Sequence, residues 1–298
     1  MKNTLIFIGF ILIAVLITFA LTKCGKPPVE NDPSDDKEPD TPNNPSGAIP
    51  TTPLDIKAPG VKTFTSNSGG NITLNGFIGY EMWTEGGNNN KLIWYGPNQG
   101  GGAAFRAEWN NPNDFLGRVG YFWGNGGLFT QYKNMYADFN YSRSGGNTAG
   151  DFSYIGIYGW ARNPGALKNE EKLIEYYIVE DWFGNQWQNE SSPIGIGITG
   201  GSEAGSYSLD GAVYKVIKNV RVNKPSIEGN KTFTQYFSIR QTLRKTGTIS
   251  ITEHFNKWDG MGMKLGNMYE TKFLIEASGG TGWLEFTWLK FSQENIQR

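Results

Sequence analysis

Cysteine and histidine are almost missing from this chain. Each occurs once in 298 residues, as Cys24 and His254. A lone cysteine excludes an internal disulfide, and Cys/His zinc spacing has no partners to work with. A serine–histidine triad has only His254 to draw on, and at the start of a helical pattern that residue reads as structural. Segregated charge is missing too: 27 Lys plus Arg against 28 Asp plus Glu give a net charge of −1. With no long single-sign block, nucleic acid is excluded as the expected partner. No internal repeat is evident, and no metal or cofactor is expected. Any chemistry falls to carboxylates.

One long hydrophobic run is present, and it lies at the start. Lys2 precedes an apolar stretch from Leu5 to Leu21, interrupted by Gly9 and Thr18. A basic start followed by an apolar core reads as an export signal. The stretch also approaches the length of a membrane span, so an uncleaved anchor stays open. Leu21-Thr22-Lys23-Cys24 resembles the lipobox of bacterial lipoproteins, with Lys23 where that pattern prefers a small residue. The resemblance implies lipidation of Cys24 and contact with a membrane through this anchor alone. From Gly25 to about Gly60, Pro, Asp, Asn, Lys and Glu predominate. Such a segment buries too little apolar surface to offset chain entropy, so it is expected to be a disordered tether. The organisation reads as export segment 1–24, linker 25–60 and one module over 61–298, exported and surface-held or secreted, and acting as a monomer.

Glycine is abundant, at 40 residues, and aromatic residues make up 14%. Short alternating runs are separated by turns such as Gly86-Gly87-Asn88-Asn89-Asn90, Gly100-Gly101-Gly102 and Ser144-Gly145-Gly146-Asn147. That is the pattern of an all-β sandwich or barrel. Expected strands include 77–83, 91–95, 104–109, 120–123, 135–143, 152–160 and 172–182. Others are expected over 212–222, 232–240, 248–251, 269–276 and 282–289. Helical spacing occurs once, in Phe255, Trp258, Met261 and Leu265, with Thr252 as a candidate N-cap.

The run Leu173-Ile174-Glu175-Tyr176-Tyr177-Ile178-Val179 reads as a buried strand with a carboxylate inside it. A charge there is costly unless paired or hydrogen-bonded. Alternation puts Leu173, Glu175, Tyr177 and Val179 on one face and Ile174, Tyr176 and Ile178 on the other. One face can pack a core while the other presents Glu175 and a tyrosine hydroxyl. Phe273-Leu274-Ile275-Glu276-Ala277 repeats the arrangement. Two glutamates on two strands suit glycoside hydrolysis, in which one stays ionised and the other keeps a proton. A structural role for each glutamate remains open at this level.

Several segments, spread over most of 75–290, resemble glycoside hydrolase family 11, the β-jelly-roll endo-1,4-β-xylanases. GYEMWTEGG (79–87), AEWNNPNDFLGR (107–118), IYGWARNP (157–164), LIEYYIVEDW (173–182), VRVNKPSIEG (220–229), TFTQYFSIRQ (232–241), HFNKWDGMGMKLG (254–266) and MYETKFLIEA (268–277) occur in the family's order. The resemblance implies an all-β jelly-roll sandwich of two twisted antiparallel sheets with one short helix. It also implies cleavage of xylan with retention of configuration. Glu175 would be the nucleophile and Glu276 the acid/base. Tyr158 and Tyr177 would hydrogen-bond the nucleophile and the proximal sugar, Gln235 would position Glu175, and Arg221 would contact the sugar. Pro225, Ser226 and Ile227 would form the tip of a thumb over the substrate, and Trp83 would stack on a xylose ring. Asp114 stands where the family places Asn or Asp beside the acid/base, and Asp there implies an acidic pH optimum.

Three segments depart from the family pattern: the insertion Gly165–Lys172, the Ala277-Ser278-Gly279-Gly280 turn after Glu276, and the loop after Trp182. A β-1,4-glucanase on the related jelly roll of family 12 is a second reading, against which the thumb argues. A surface carbohydrate-binding lipoprotein without turnover is a third.

Overall fold

The computed structural model describes residues 49–72, 78–146, 152–183 and 201–294. The export segment with Cys24, the linker up to residue 48 and most of the loop after Trp182 lie outside these residues. Among the described residues, two sheets are stacked face to face. The six-stranded sheet runs β1 (Lys62–Phe64), β4 (Lys91–Trp94), β5 (Phe105–Asn110), β15 (Thr281–Glu294), β7 (Asn134–Gly146), β13 (Thr246–Ile249). The nine-stranded sheet runs β10 (Ser202–Leu209), β11 (Ala212–Lys224), β12 (Lys231–Arg240), β9 (Leu173–Asp181), β8 (Ser153–Arg162), β14 (Asn267–Ala277), β6 (Asp114–Phe122), β3 (Ile78–Glu85), β2 (Ser68–Ile72). The all-β sandwich is as expected, with one refinement. Among the described strands every pairing is antiparallel except β12 with β9, which is parallel, so the larger sheet is mixed.

Strand alternation sorts the aromatic residues into two layers. Ile174, Tyr176 and Ile178 of β9 and Phe273 and Ile275 of β14 point between the sheets, where they join Phe139, Phe255, Trp258 and Phe286 in the main core. Tyr177 and Val179 of β9, Tyr158 and Trp160 of β8 and Leu274 of β14 point the other way. There they form a second cluster on the outer face of the larger sheet. Each fully buried side chain of this size contributes about 1.5–3 kcal/mol. The two layers need a close backbone approach at Gly159. A Cβ at that position would sit 2.1 Å from the Glu270 carbonyl oxygen and 2.2 Å from the Tyr176 hydroxyl. Any larger residue there would break the bond that Tyr176 donates to that carbonyl at 2.5 Å.

Among the described residues there is one α-helix, α1 (Ile251–Gly260), and its N-cap is Ser250 and not Thr252. Thr252 serves the sandwich, because its hydroxyl accepts from the Met135 amide at 2.9 Å. Met261 caps the helix and Leu265 lies beyond it, so the four apolar positions all pack on the core without sharing a helix. His254 is fully buried, and its Nδ1 lies 2.6 Å from the Tyr207 hydroxyl. Three strands lay hidden from the alternation pattern: β1, β2 and β10, the last with a mostly exposed face. β6 also begins earlier than expected, at Asp114. Part of the expected tether docks as well. Leu54 packs on the core, and the Asp55 amide donates to Gln99 Oε1 at 3.0 Å.

Candidate active site

The outer face of the larger sheet carries the carboxylates. Glu175 sits on β9 opposite Trp160 of β8, and Glu276 sits on β14 opposite Tyr154 of the same strand. Both are 6–7% exposed, which is little for a carboxylate. Three donors converge on Glu175. Tyr158 donates to Oε1 at 3.0 Å, Tyr177 donates to the same oxygen at 3.2 Å, and Gln235 Nε2 donates to Oε2 at 2.6 Å. Gln235 is in turn fixed by Asn219, whose Nδ2 donates to its Oε1 at 2.8 Å. Tyr158 accepts from the Trp160 indole, which orients its own hydroxyl toward Glu175.

Glu276 is treated differently, and its Oε2 has no hydrogen-bond partner. Burial pushes the Glu276 carboxyl well above the usual range, and the nearby Asp114 and Glu175 push it further; the Tyr177 hydroxyl opposes them only in part. For Glu175, burial also raises the pKa, but Gln235, Tyr158, Tyr177 and the charge of Arg221 all pull it down. The group with three donors gives up its proton first, and the under-bonded one keeps it. Asp114, the first residue of β6, is half-buried beside them, with its Oδ1 shut off from solvent. Burial and then the Glu175 charge push it up to about 7, with only the Phe115 amide and Arg221 opposing.

The remaining sequence-named residues fall around this centre. Trp83 is half-buried and packs against the outer aromatic cluster, opposite Leu116 of β6. A wholly buried core position for it is therefore ruled out. Pro225, Ser226 and Ile227 form the turn between β11 and β12. The Ser226 hydroxyl donates to the Gly229 carbonyl at 2.6 Å, and Ile227 reaches back to the aromatic cluster. Glu228 ties the tip to β8 through Arg162 at 2.7 Å.

Other contributors carried no sequence flag. Arg118 lies 4.9 Å from the centre of the Tyr158 ring and 2.9 Å from Glu81, while Lys272 lies 2.7 Å from Glu270 and 3.3 Å from Glu81. These two cations and two anions pave the sheet beside Tyr158. Burial raises Glu81, but Arg118 and Lys272 outweigh it and hold the carboxyl at about 2. The parity of β14 could have placed Glu270 and Lys272 on the Glu276 face. Nothing local could have paired them with Arg118 and Glu81.

Two of the three departures can be placed. The insertion Gly165–Lys172 carries a short 3₁₀ turn, Asn169–Glu171. Glu171 meets Lys218 of β11 at 2.8 Å, and the Glu170 carbonyl accepts from Thr234 of β12 at 2.8 Å. The insertion thus holds both strands at the root of the thumb. The turn after Glu276 is bonded to its surroundings: Ser278 N donates to Phe152 O at 2.9 Å and Gly279 N to Pro112 O at 2.7 Å. Gly279 and Gly280 have φ of 66° and 58°, which side-chain-bearing residues rarely adopt.

Comparison with known proteins agrees with this geometry. The sequence profile of glycosyl hydrolases family 11 matches residues 75–287. Endo-1,4-beta-xylanase C of Fibrobacter succinogenes is 38% identical over 229 residues, covering 75% of this chain and 34% of that protein. Endo-1,4-beta-xylanase A of Piromyces sp. is 39% identical over 232 residues, covering 76% of this chain and 33% of that protein. The chain thus spans about a third of the length of these curated relatives. Endo-1,4-beta-xylanase A of Bacillus pumilus is closer in size, 37% identical over 222 residues, with 74% and 82% covered. The crystal structure of ENZbleach xylanase wild type superposes with a TM-score of 0.76 at 57% identity, covering 86% of this chain and 95% of that one. With its family profile spanning the paired glutamates, their tyrosine donors and the thumb, this chain belongs to glycosyl hydrolases family 11.

Proposed function

We propose that the protein is an endo-1,4-β-xylanase that cleaves the xylan backbone with retention of configuration. The observation that carries this is the asymmetry of the pair: Glu175 accepts three hydrogen bonds while Glu276, buried on the same face, has an oxygen with none. In the first step a Glu175 oxygen attacks the anomeric carbon, and Glu276 gives its proton to the departing glycosidic oxygen. The product is a xylosyl ester on Glu175 plus a free chain end. Water, deprotonated by Glu276, then attacks the anomeric carbon, frees Glu175 and restores the proton to Glu276. Tyr158, Tyr177 and Gln235 spread the Glu175 charge before attack and hold its oxygens in place afterwards. The relatives named as xylanases support xylan as substrate.

Reducing-sugar release from xylan and from cellulose, with wild type and Glu175→Gln side by side, tests this reading. Release from xylan alone, abolished in the variant, is expected. Xylan binding without release by the wild type would overturn it.

We further propose that the protein is exported and held through lipidated Cys24, on the strength of the apolar run ending at that residue. Mass spectrometry of the mature N-terminus should find an acylated Cys24; an intact Met1 terminus would refute lipidation.

A further inference from the structure

A pocket of about 320 Å³ opens between the end of β8, the insertion and the tip of the thumb. Asn125, Arg162, Pro164, Lys172, Glu228 and Asn267 line it. Register brings them together. Arg162 of β8 pairs with Asn267 of β14 on one side and with Leu173 of β9 on the other. The Asn163 amide donates to the Lys172 carbonyl at 2.8 Å, which closes the insertion on itself and sets Lys172 at the pocket wall. Arg162 shares the parity of Tyr158 and Trp160. Its guanidinium lies 4.7 Å from the centre of the Tyr269 ring, which packs on the outer aromatic cluster. The pocket is therefore a side chamber of the face that carries Glu175. Lys172 stands three positions before Glu175, ~10 Å of extended chain.

Charge is what sets this chamber apart. Arg162 is engaged, since its Nε meets Glu228 at 2.7 Å and its Nη1 donates to the Gly124 carbonyl at 2.8 Å. Glu171, the acid next to Lys172 in the chain, is taken by Lys218 at 2.8 Å. Lys172 is exposed, and among the described residues no carboxylate pairs with it. The pocket thus sets two cations against one anion, with the exposed amides of Asn125 and Asn267 at its rim.

A xylan backbone is uncharged, and a chain of net charge −1 has no general attraction for a polyanion. A surplus cation beside the cleft has a partner only where a branch brings a carboxylate. Lys172 would hold that carboxylate, and the two amides would meet the hydroxyls of the same sugar. The volume is at the small end for a ligand pocket, which suits one branch sugar and not a length of backbone.

We propose that this pocket binds a uronic acid branch of xylan, and that Lys172, supplied by the insertion, is the residue that selects it. The site rests on the xylanase reading above. A branch seated there fixes where the backbone is cut relative to the point of attachment, because the carboxylate is held at Lys172 while the backbone lies on the Glu175 face.

The test compares uronate-bearing xylan with the same xylan after its carboxyls have been reduced to alcohols, since the two differ in charge and hardly in shape. Wild-type kcat/KM is expected to be about two- to fivefold higher on the uronate form, the scale of one exposed ion pair. That preference should fade as salt is raised. Lys172→Gln should lose it, with turnover of unbranched xylohexaose unchanged, and Lys172→Arg should keep it. Position 172 is exposed, so both variants should fold. In limit digests, the spacing between branch and cut should be broader for Lys172→Gln than for wild type. Wild-type kcat/KM on the uronate form that is equal to or below that on the reduced form would overturn the site. So would an undiminished preference in Lys172→Gln. Unbranched xylohexaose left uncut by the wild type would instead sink the xylanase reading itself.

Discussion

Asn219 decides which end of the Gln235 amide faces Glu175. Its Nδ2 donates to Gln235 Oε1 at 2.8 Å, leaving Gln235 Nε2 to donate to the carboxylate at 2.6 Å. Asn219→Asp replaces that donor with an acceptor and turns the Gln235 amide around, so that an oxygen faces Glu175. A fall in kcat of about 10- to 100-fold is expected. The acid limb of the pH profile should also move up, because Glu175 loses a donor that favours its ionised form. An unmoved acid limb would mean that Asn219 acts only through packing.

As the proposed acid, Glu276 should matter most when the leaving group is poor. Glu276→Gln is expected to lower kcat on xylan by about 10²–10⁴-fold, the usual span for general acid catalysis. On an aryl xylobioside whose phenolate leaves without protonation, formation of the glycosyl-enzyme should stay fast. An equal loss of that first step on both substrates would move the acid role elsewhere.

The pH profile should fall as the pH rises through about 7, where burial and Glu175 place the Asp114 carboxyl. Asp114 can donate a hydrogen bond only while protonated, and its titration belongs to the coupled group it forms with Glu276. An amide donates at every pH, so Asp114→Asn should carry activity further toward alkali. Wild-type activity that stays flat to pH 8 would contradict this.

Stability should move opposite to activity. The folded Glu276 pKa lies well above its unfolded value. Its contribution is therefore fully present below the unfolded pKa and is lost as the pH rises through the folded one. Glu276→Gln removes that loss. Calorimetry above neutral pH should show a higher Tm for the variant than for wild type, with a smaller gap near pH 4. A lower Tm throughout would show that the carboxyl is better satisfied than its orphan oxygen indicates.

The thumb contacts are expected to act weakly. Arg162 and Glu228 side chains are 32% and 37% exposed, and an ion pair of that kind contributes about 0.2–1 kcal/mol. Glu228→Gln should therefore change KM by less than about fivefold, with a salt dependence smaller than that of wild type. A larger change would make the tip a true lock.

The sequence by itself determined the strands and their faces. A period of two placed Glu175 with Tyr177 and against Tyr176, and the burial of β9 and β14 follows that sorting residue by residue. It also carried the chemistry, because one histidine and one cysteine leave little besides carboxylates. Weakly patterned edge strands such as β10 escaped, since they bury too little on either face to leave a signal. The α1 boundary slipped because Met261 and Leu265 pack against the core from the end of the helix and beyond it, at positions that mimic its period.

Only the tertiary structure decided what surrounds the glutamates. Asn219 behind Gln235 and Arg118 beneath Tyr158 are partners across strands far apart in the chain. Register and sheet order, set by the summed packing of both layers, bring them together. Local alternation says which way a side chain points, but not what it meets there. The different proton affinities of Glu175 and Glu276 have that same origin: two like residues in like strands, separated by the donors that the fold brings to one and withholds from the other.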